Sequence, residues 1–199
     1  TSPSTSQSES IELLYALNAV ATTLQQSIQS EENVYAVFQR QVVNLGLRGG
    51  ISLLDEKGET LNFQTIALTN PLRKILDRFE KNAKVKAEGY TVSVKNVDVY
   101  QRVINHGQAV FVPDTSIVSA QVIPRQFKRI IHPLLAFLGR PPAIFAPLIF
   151  EGKIMGMLNI VGPNLTERDI PTMQAFANQI AVALENSHLV DQLQTANEE

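Results

Sequence analysis

PLIFEGKIMGMLNIVGPNLTERDIPTMQAFANQIAVALENSHLVDQL, residues 147–193, decides how this chain folds. Two apolar runs flank Glu151-Gly152, which reads as a tight β-hairpin closed by a two-residue turn. Thr166 and Asp169 follow at capping-box spacing. Pro171 opens a second reading, in which Asp169 is the cap and the proline occupies the first helical turn. One long amphipathic helix then carries Met173, Phe176, Ile180, Ala183 and Leu184 on a core face.

Counting outward from the turn pairs Phe150 with Lys153, Ile149 with Ile154, Leu148 with Met155, and so on to Ile144 with Asn159. Cross-strand partners share a face. Phe145, Pro147, Ile149, Ile154, Gly156 and Leu158 therefore form one face, with Gly156 suited to close approach by a helix. Ile144, Ala146, Leu148, Met155, Met157 and Asn159 form the other. That second face is the expected floor of a ligand pocket, with adaptable methionine walls and one polar handle. It also reads as plain core, with Asn159 bonding backbone near the strand end.

A second stripe on the last helix, Val182, Asn186, Leu189, Leu193 and Ala196, recurs at alternating spacings of four and three. An early helix from Ile11 repeats the pattern with Leu14, Leu17, Ala21, Leu24 and Ile28. Such seams ask for a partner helix or the core. A homodimer through the terminal helices is expected, seamed by Leu14, Leu17, Leu24, Val182, Asn186, Leu189 and Leu193, with Asn186 setting register. A frayed amphipathic tail is the other reading.

Between these ends the chain reads as short elements. Residues 1–10, rich in Ser and Thr, look like a disordered linker. Ser30 with Glu31 and Glu32 starts a second helix, and Gly46 can close it. Strands at 50–54 and 61–68 make a hairpin around Glu56-Lys57-Gly58. Pro71 opens a helix with Leu72, Ile75, Leu76 and Phe79 on one face and Arg73, Lys74, Arg78 and Lys81 on the solvated other. A strand around Tyr90–Val94, a short helix over 98–105 and a strand at 109–112 follow. Residues 121–142 read as two helical pieces joined by a bend at Pro133.

Composition excludes much chemistry. The 199 residues suffice for one ample core, and 44% hydrophobic with 18% charged content is that of a globular domain. A net charge of −2 gives no global attraction to nucleic acid or anionic membrane. The absence of cysteine removes disulfides, thiolate metal sites and cysteine nucleophiles. No apolar run reaches the roughly 20 residues of a membrane-spanning helix. Lacking an initial Met and a signal-peptide pattern, the chain reads as a piece of a larger soluble or cytoplasmic region, with a cytoplasmic location expected. His106, His132 and His188 have no partners at ligand spacing, so no metal site is expected. His132, in an apolar setting, reads as a structural histidine or a ligand contact. Asp55, Glu56, Asp114 and Glu151 lie at turns, where carboxylates are commonly solvated. Arg125, Lys128, Arg129 and Arg140 cluster around 121–142 and read as solvated surface or as a receiver for a carboxylate or phosphate at the pocket mouth. No nucleophile elbow, P-loop, Rossmann glycine pattern or kinase signature is present.

The stretch EGKIMGMLNIVGPNLTERDIPTMQAFANQIAVALENSHL resembles the closing signature of a GAF domain: a Gly-bearing turn, Ile-x-Gly-x-Leu on the last strand, a Thr-x-x-Asp start, and an Ala-rich helix ending in Ala-Leu-Glu-Asn. NHGQAVFVPD is a looser match, and the resemblance covers roughly 11–193. It implies a single α+β domain over 11–195, with a GAF/PAS-like antiparallel sheet. Terminal helices (11–28 and a signalling helix over 166–195) lie on one face, and short helices cover a ligand pocket on the other. Residues 70–95 read as an extension beyond the minimal fold, and 196–199 as a frayed tail. The resemblance also implies a non-catalytic sensing domain regulating an attached bacterial output module, such as a two-component histidine kinase or a cyclic-dinucleotide enzyme, through a parallel dimer. No covalent cofactor is expected, since bilin attachment needs a cysteine. The cyclic-nucleotide motif of the family is also missing. The ligand set expected from these readings is Ile144, Ala146, Leu148, Met155, Met157 and Asn159 below His132, Arg125 and Arg129. The rivals are a structural dimerisation module whose pocket is plugged by Phe127, Phe137 and Leu138, and a sulfoxide reductase of the free-standing GAF type, whose chemistry wants the cysteines this chain lacks.

Overall fold

Glu151 and Gly152 both adopt left-handed backbone, with φ of 47° and 79°. Two successive positive φ values define the type I′ turn that matches strand twist, so the expected hairpin forms between β5 (Ala143–Phe150) and β6 (Lys153–Val161). Glutamate is a poor occupant of that conformation because its Cβ crowds the following carbonyl. Glu151→Asn is therefore expected to stabilise the protein by about 0.5–1 kcal/mol, read as a higher urea midpoint at unchanged slope.

The computed structural model describes residues 3–26 and 30–198. Its hairpin departs from simple counting after two pairs. Phe150 faces Lys153 and Ile149 faces Ile154, but Leu148 then faces Gly156, which leaves Met155 as the extra residue of a β-bulge. Every later pair is displaced by one: Pro147 with Met157, Ala146 with Leu158, Phe145 with Asn159, Ile144 with Ile160. A one-residue slip changes which side chains of the two strands share a face. Ile144, Ala146 and Leu148, expected on the pocket side, instead join Leu158 and Ile160 in the core under the terminal helices. Met155 packs against that same core. Phe145 and Met157 lie on the opposite face.

β1 (Arg48–Leu54), β2 (Thr60–Ala67), β3 (Thr91–Ser93) and β4 (Val110–Val112) complete the sheet in the order β3-β2-β1-β6-β5-β4, every neighbouring pair antiparallel. Gly156 does serve close approach, but the neighbour is strand β1 rather than a helix. A Cβ there would collide with the Ser52 carbonyl oxygen and lie 2.9 Å from the Leu53 Cα.

One face of the sheet is covered by α1 (Pro3–Gln26), α2 (Glu31–Asn44) and α7 (Ile170–Glu198). α1 begins well before Ile11, so the Ser/Thr-rich stretch is helical from Pro3 rather than a linker. Proline suits a first helical turn, and elongating a helix already anchored downstream costs little even with poor formers. Leu17 and Leu24 are buried in this chain's own core beside Val20 and Ala21, so they do not seam a partner. Leu14 is half-buried, and Ile28 lies outside the described residues. Ser30 caps α2 by accepting from the Asn33 amide at 3.3 Å. Gly46, at φ 71°, closes it, with Gly46 N donating to Val43 O and Leu47 N to Val42 O. At α7 both cap readings hold in succession. The Asp169 carboxylate accepts from Thr166 N (2.8 Å) and Thr166 Oγ1 (3.0 Å) around a 3-10 turn, and Pro171 then sits in the first turn of α7. Met173, Phe176, Ile180, Ala183 and Leu184 are buried against the sheet as their spacing predicts. The helix runs to Glu198, past the expected frayed end at 196.

The other face carries α4 (Asp98–His106), α3 (Asn70–Ala83), α5 (Ser116–Val122) and α6 (Lys128–Leu138). α4 buries Val99, Tyr100, Val103 and Ile104 against Phe145 and Met157. α6 continues unbroken across Pro133, so the two helical pieces expected to meet there are one helix. The break falls at Pro124, which holds Ile123 extended at φ −87°, ψ 119°. The steric rule for residues preceding proline was sound, but it acts at the earlier proline, where no helix yet competes with it.

Candidate functional site

A cavity of about 720 Å³ lies between the free face of the sheet and helices α3, α5 and α6. Strand alternation builds its floor. Arg48 pairs with Val161 and Gly50 with Asn159, so Arg48, Asn159 and Val161 rise from the face that also bears Phe145. Phe63 and Ile66 of β2 extend the floor. Leu76 and Phe79 of α3 make one wall. The roof is Val118 and Val122 of α5 with Ile131 and Leu135 of α6, and Phe127 enters from the turn between them. Phe79 meets Phe127 edge-on, with ring centroids 6.4 Å apart and planes at 87°. Segment 70–95 is thus a structural wall latched to the roof.

Its fastening is polar as well as apolar. Buried Glu80 accepts from Lys86 Nζ (3.0 Å) and Ala87 N (2.8 Å), which ties the loop after α3 back to the helix. Arg73 donates to Ile66 O (2.6 Å) and to Glu88 Oε1 (3.2 Å). Arg73 is therefore a strut to β2, not a solvated cation, while Lys74, Arg78 and Lys81 are exposed as expected.

The charged groups that line the cavity are all cations, Arg48, Lys86, Lys128 and Arg140, set among neutral polar side chains such as Ser119 and Asn159. Arg48 is half-buried, and its Nη2 donates to the Leu138 carbonyl at the end of α6 (3.0 Å). Burial lowers its pKa from the ordinary arginine value. Burial likewise raises the Tyr100 phenol, whose ring leans on Phe145 at 6.2 Å. Lys86, Lys128, His132 and Arg140 stand at the margin. Among the described residues no carboxylate lines the cavity. Asp114 lies just outside, 4.0 Å from Arg140. The Ser116 hydroxyl and amide, with Arg140, hold the Asp114 carboxyl below the usual carboxylate range. Its contribution is therefore present above the unfolded carboxylate pKa and is lost as pH falls through the depressed folded value.

Of the residues expected from the sequence, Asn159 and His132 line the cavity. Met157 is on the right face but buried under α4. Ile144, Ala146, Leu148 and Met155 belong to the opposite side. Arg125 and Arg129 are exposed and do not line it; Lys128 and Arg140, from the same basic cluster, do. Sequence reasoning missed Arg48. Its signal was present: alternation along β1 sets Arg48, Gly50 and Ser52 against the buried Ile51. Of the seam residues on α7, Val182 and Asn186 are half-buried, and Leu189 and Leu193 are exposed.

Comparison with known proteins accords with this architecture. The GAF domain of a phosphoenolpyruvate-protein phosphotransferase from Coxiella burnetii is similar over 90% of this chain and 96% of that chain, at 11% identity and TM-score 0.61. Free methionine-R-sulfoxide reductase from Neisseria meningitidis, solved with its substrate, matches over 91% and 93%, at 15% identity and TM-score 0.59. The phycoerythrobilin-bound GAF domain of a cyanobacterial phytochrome matches over 89% and 96%, at 15% identity and TM-score 0.55. These likenesses concern the fold. No match was found among curated proteins. A family model described as GAF domain matches residues 29–185, most of the length, and the chain belongs to that family.

Proposed function

We propose that this chain is a non-catalytic sensing domain that admits a small, largely apolar ligand to the cavity and relays its presence to an attached output module. The observation that carries this reading is the cavity itself. Its 720 Å³ is within the range of ligand sites, its walls are largely apolar, and polar side chains converge on it from the sheet and from the helices above. A self-plugged site would need Phe127, Phe137 and Leu138 to fill the space. Phe137 instead is 67% exposed, and Phe127 and Leu138 line the cavity without closing it.

The relay follows from packing. β5 supplies Phe145 to the cavity on one face and Ile144, Ala146 and Leu148 to the α7 core on the other. Gln174 of α7 also donates to the Pro147 carbonyl of β5 at 3.1 Å. A ligand that favours one position of the sheet shifts α7 only as far as it binds the two states differently. A two-component histidine kinase of a bacterial cytoplasm is the output that suits such a relay, with a cyclic-dinucleotide enzyme as the alternative. No helix among the described residues is long and apolar enough to cross a membrane.

The proposed partner of the terminal helices is a second copy of the chain. Leu189 and Leu193 are 47% and 65% exposed on one side of α7, at a spacing of four. Replacing both with Lys is expected to convert a dimer to a monomer in sedimentation equilibrium without loss of helicity. Native mass spectrometry of the purified protein tests the sensing reading directly. A retained small molecule is expected, and Ser119→Trp, which projects into the cavity from α5, should release it while the circular dichroism stays unchanged. A protein that neither retains nor takes up any apolar compound would overturn the proposal.

A further inference from the structure

The cavity holds one feature that a merely apolar ligand does not require. Arg48 brings a guanidinium to the floor, half-buried, and among the described residues it forms no salt bridge. Its acceptor among them is a backbone carbonyl, Leu138 O. A guanidinium offers five N–H donors in a planar fork, so most of its donors have no acceptor among the described residues. The other marginal cations differ. Arg140 stands near Asp114, Lys86 is held by Glu80, and Lys128 is exposed. A partly desolvated cation without a counter-ion is costly unless an anion completes it.

A second unpartnered group stands beside it. Asn159 lines the cavity, and its side-chain amide forms none of the side-chain hydrogen bonds found among the described residues. Arg48 pairs with Val161 and Asn159 lies two residues back along the same strand, so the two are diagonal neighbours on one face. Sheet geometry sets the Cα atoms of such neighbours roughly 7–8 Å apart on the same face, close enough for both side chains to reach one carboxylate. Gly50 keeps that corner open, since a Cβ there would lie 3.0 Å from the Asn159 Oδ1. From this corner the cavity continues between Phe79, Phe127 and Ile131, with no further buried charge among the described residues.

We propose that the ligand is an apolar monocarboxylate, its head group bridging Arg48 and Asn159 and its body lying under α6 toward Phe79 and Phe127. This rests on the sensing reading above. A monoanion matches the half-buried cation that lacks a counter-ion, whereas a phosphate dianion would leave a net charge in an apolar site. The C-terminal end of α6 carries partial negative charge that repels a carboxylate, so the head group would take the Arg48 donors that face away from Leu138 O, at the junction of sheet and roof.

The test uses the whole chain and displacement of N-phenyl-1-naphthylamine, a neutral apolar fluorophore, by three probes with the same tail: dodecanoate, dodecanol and dodecyl phosphate. At about pH 7.5 the carboxylate is ionised, and a charge-assisted pair should favour dodecanoate over dodecanol by about tenfold or more. Arg48→Met should abolish that preference while the fluorophore still binds, and Arg48→Lys should restore part of it. Asn159→Ala should weaken dodecanoate alone. Equal binding of the acid and the alcohol would overturn the carboxylate assignment and leave the sensing reading standing. Stronger binding of dodecyl phosphate would overturn it in favour of a phosphate. Failure of the fluorophore and of all three probes to bind would overturn both.

Discussion

Gly156→Ala is expected to destabilise the protein by about 3 kcal/mol, one of the two largest effects we anticipate from a single substitution. The added methyl would collide with the Ser52 carbonyl oxygen and press on the Leu53 Cα at 2.9 Å. Both obstacles are backbone of β1, which is paired on both sides, to β2 and to β6. Neither can rotate away as a side-chain tip would. Relief requires β1 and β6 to separate next to the Met155 bulge, at the cost of ladder hydrogen bonds in the centre of the sheet. Gly58→Ala is the control. Gly58 has φ of 73° in an exposed turn, and a methyl added there would meet nothing within 4 Å. It should cost only about 1 kcal/mol, from the left-handed backbone alone. Equal urea midpoints for the two variants would show that β1 and β6 are not as closely apposed at Gly156 as described.

Phe176→Ala is expected to cost about 3–5 kcal/mol, the sum of lost apolar transfer and the void left behind. Phe176 is 2% exposed and is among the largest fully enclosed side chains, held between α7 and the sheet with Met173, Ile180 and Leu148. Leu193→Ala, on the same helix but 65% exposed, should change the stability of the isolated chain by less than about 0.5 kcal/mol. The contrast has functional content. Phe176 couples the last helix to β5, whose opposite face lines the cavity, so its loss should also uncouple the two. Ligand uptake measured by native mass spectrometry should then persist near neutrality in denaturant-free buffer, while ligand-dependent protection of α7 in hydrogen exchange disappears. Unchanged stability in Phe176→Ala would remove the packing basis of the relay.

Much of this architecture was legible in the chain because its determinants are local. The Ser30 cap, the Gly46 closure, the Thr166–Asp169 box and the Glu151-Gly152 turn each depend on a few neighbouring residues and their hydrogen bonds. The face of α7 that carries Met173, Phe176 and Ile180 follows from helical spacing for the same reason. Half of the pocket strand was legible too, since alternation along β6 puts Met157 and Asn159 on one side whatever strand lies next to it.

Pairing between segments was not. The bulge at Met155 inserts one residue into β6, and nothing in an alternating pattern marks where a strand takes an extra residue. That single insertion exchanged Ile144, Ala146 and Leu148 for Phe145 in the cavity wall. Leu17 and Leu24 show the same boundary: heptad-like spacing reports that a helix has an apolar stripe, not whether its own core or another chain covers it. Arg48, Asn159 and Phe127 are far apart in sequence, and they meet only because six strands stack in a fixed order beneath helices anchored elsewhere. Hydrogen bonds and steric clashes between near neighbours write caps, turns and helix faces into the residues themselves, whereas a cavity is the space left when distant segments have packed, and its lining is settled by that packing.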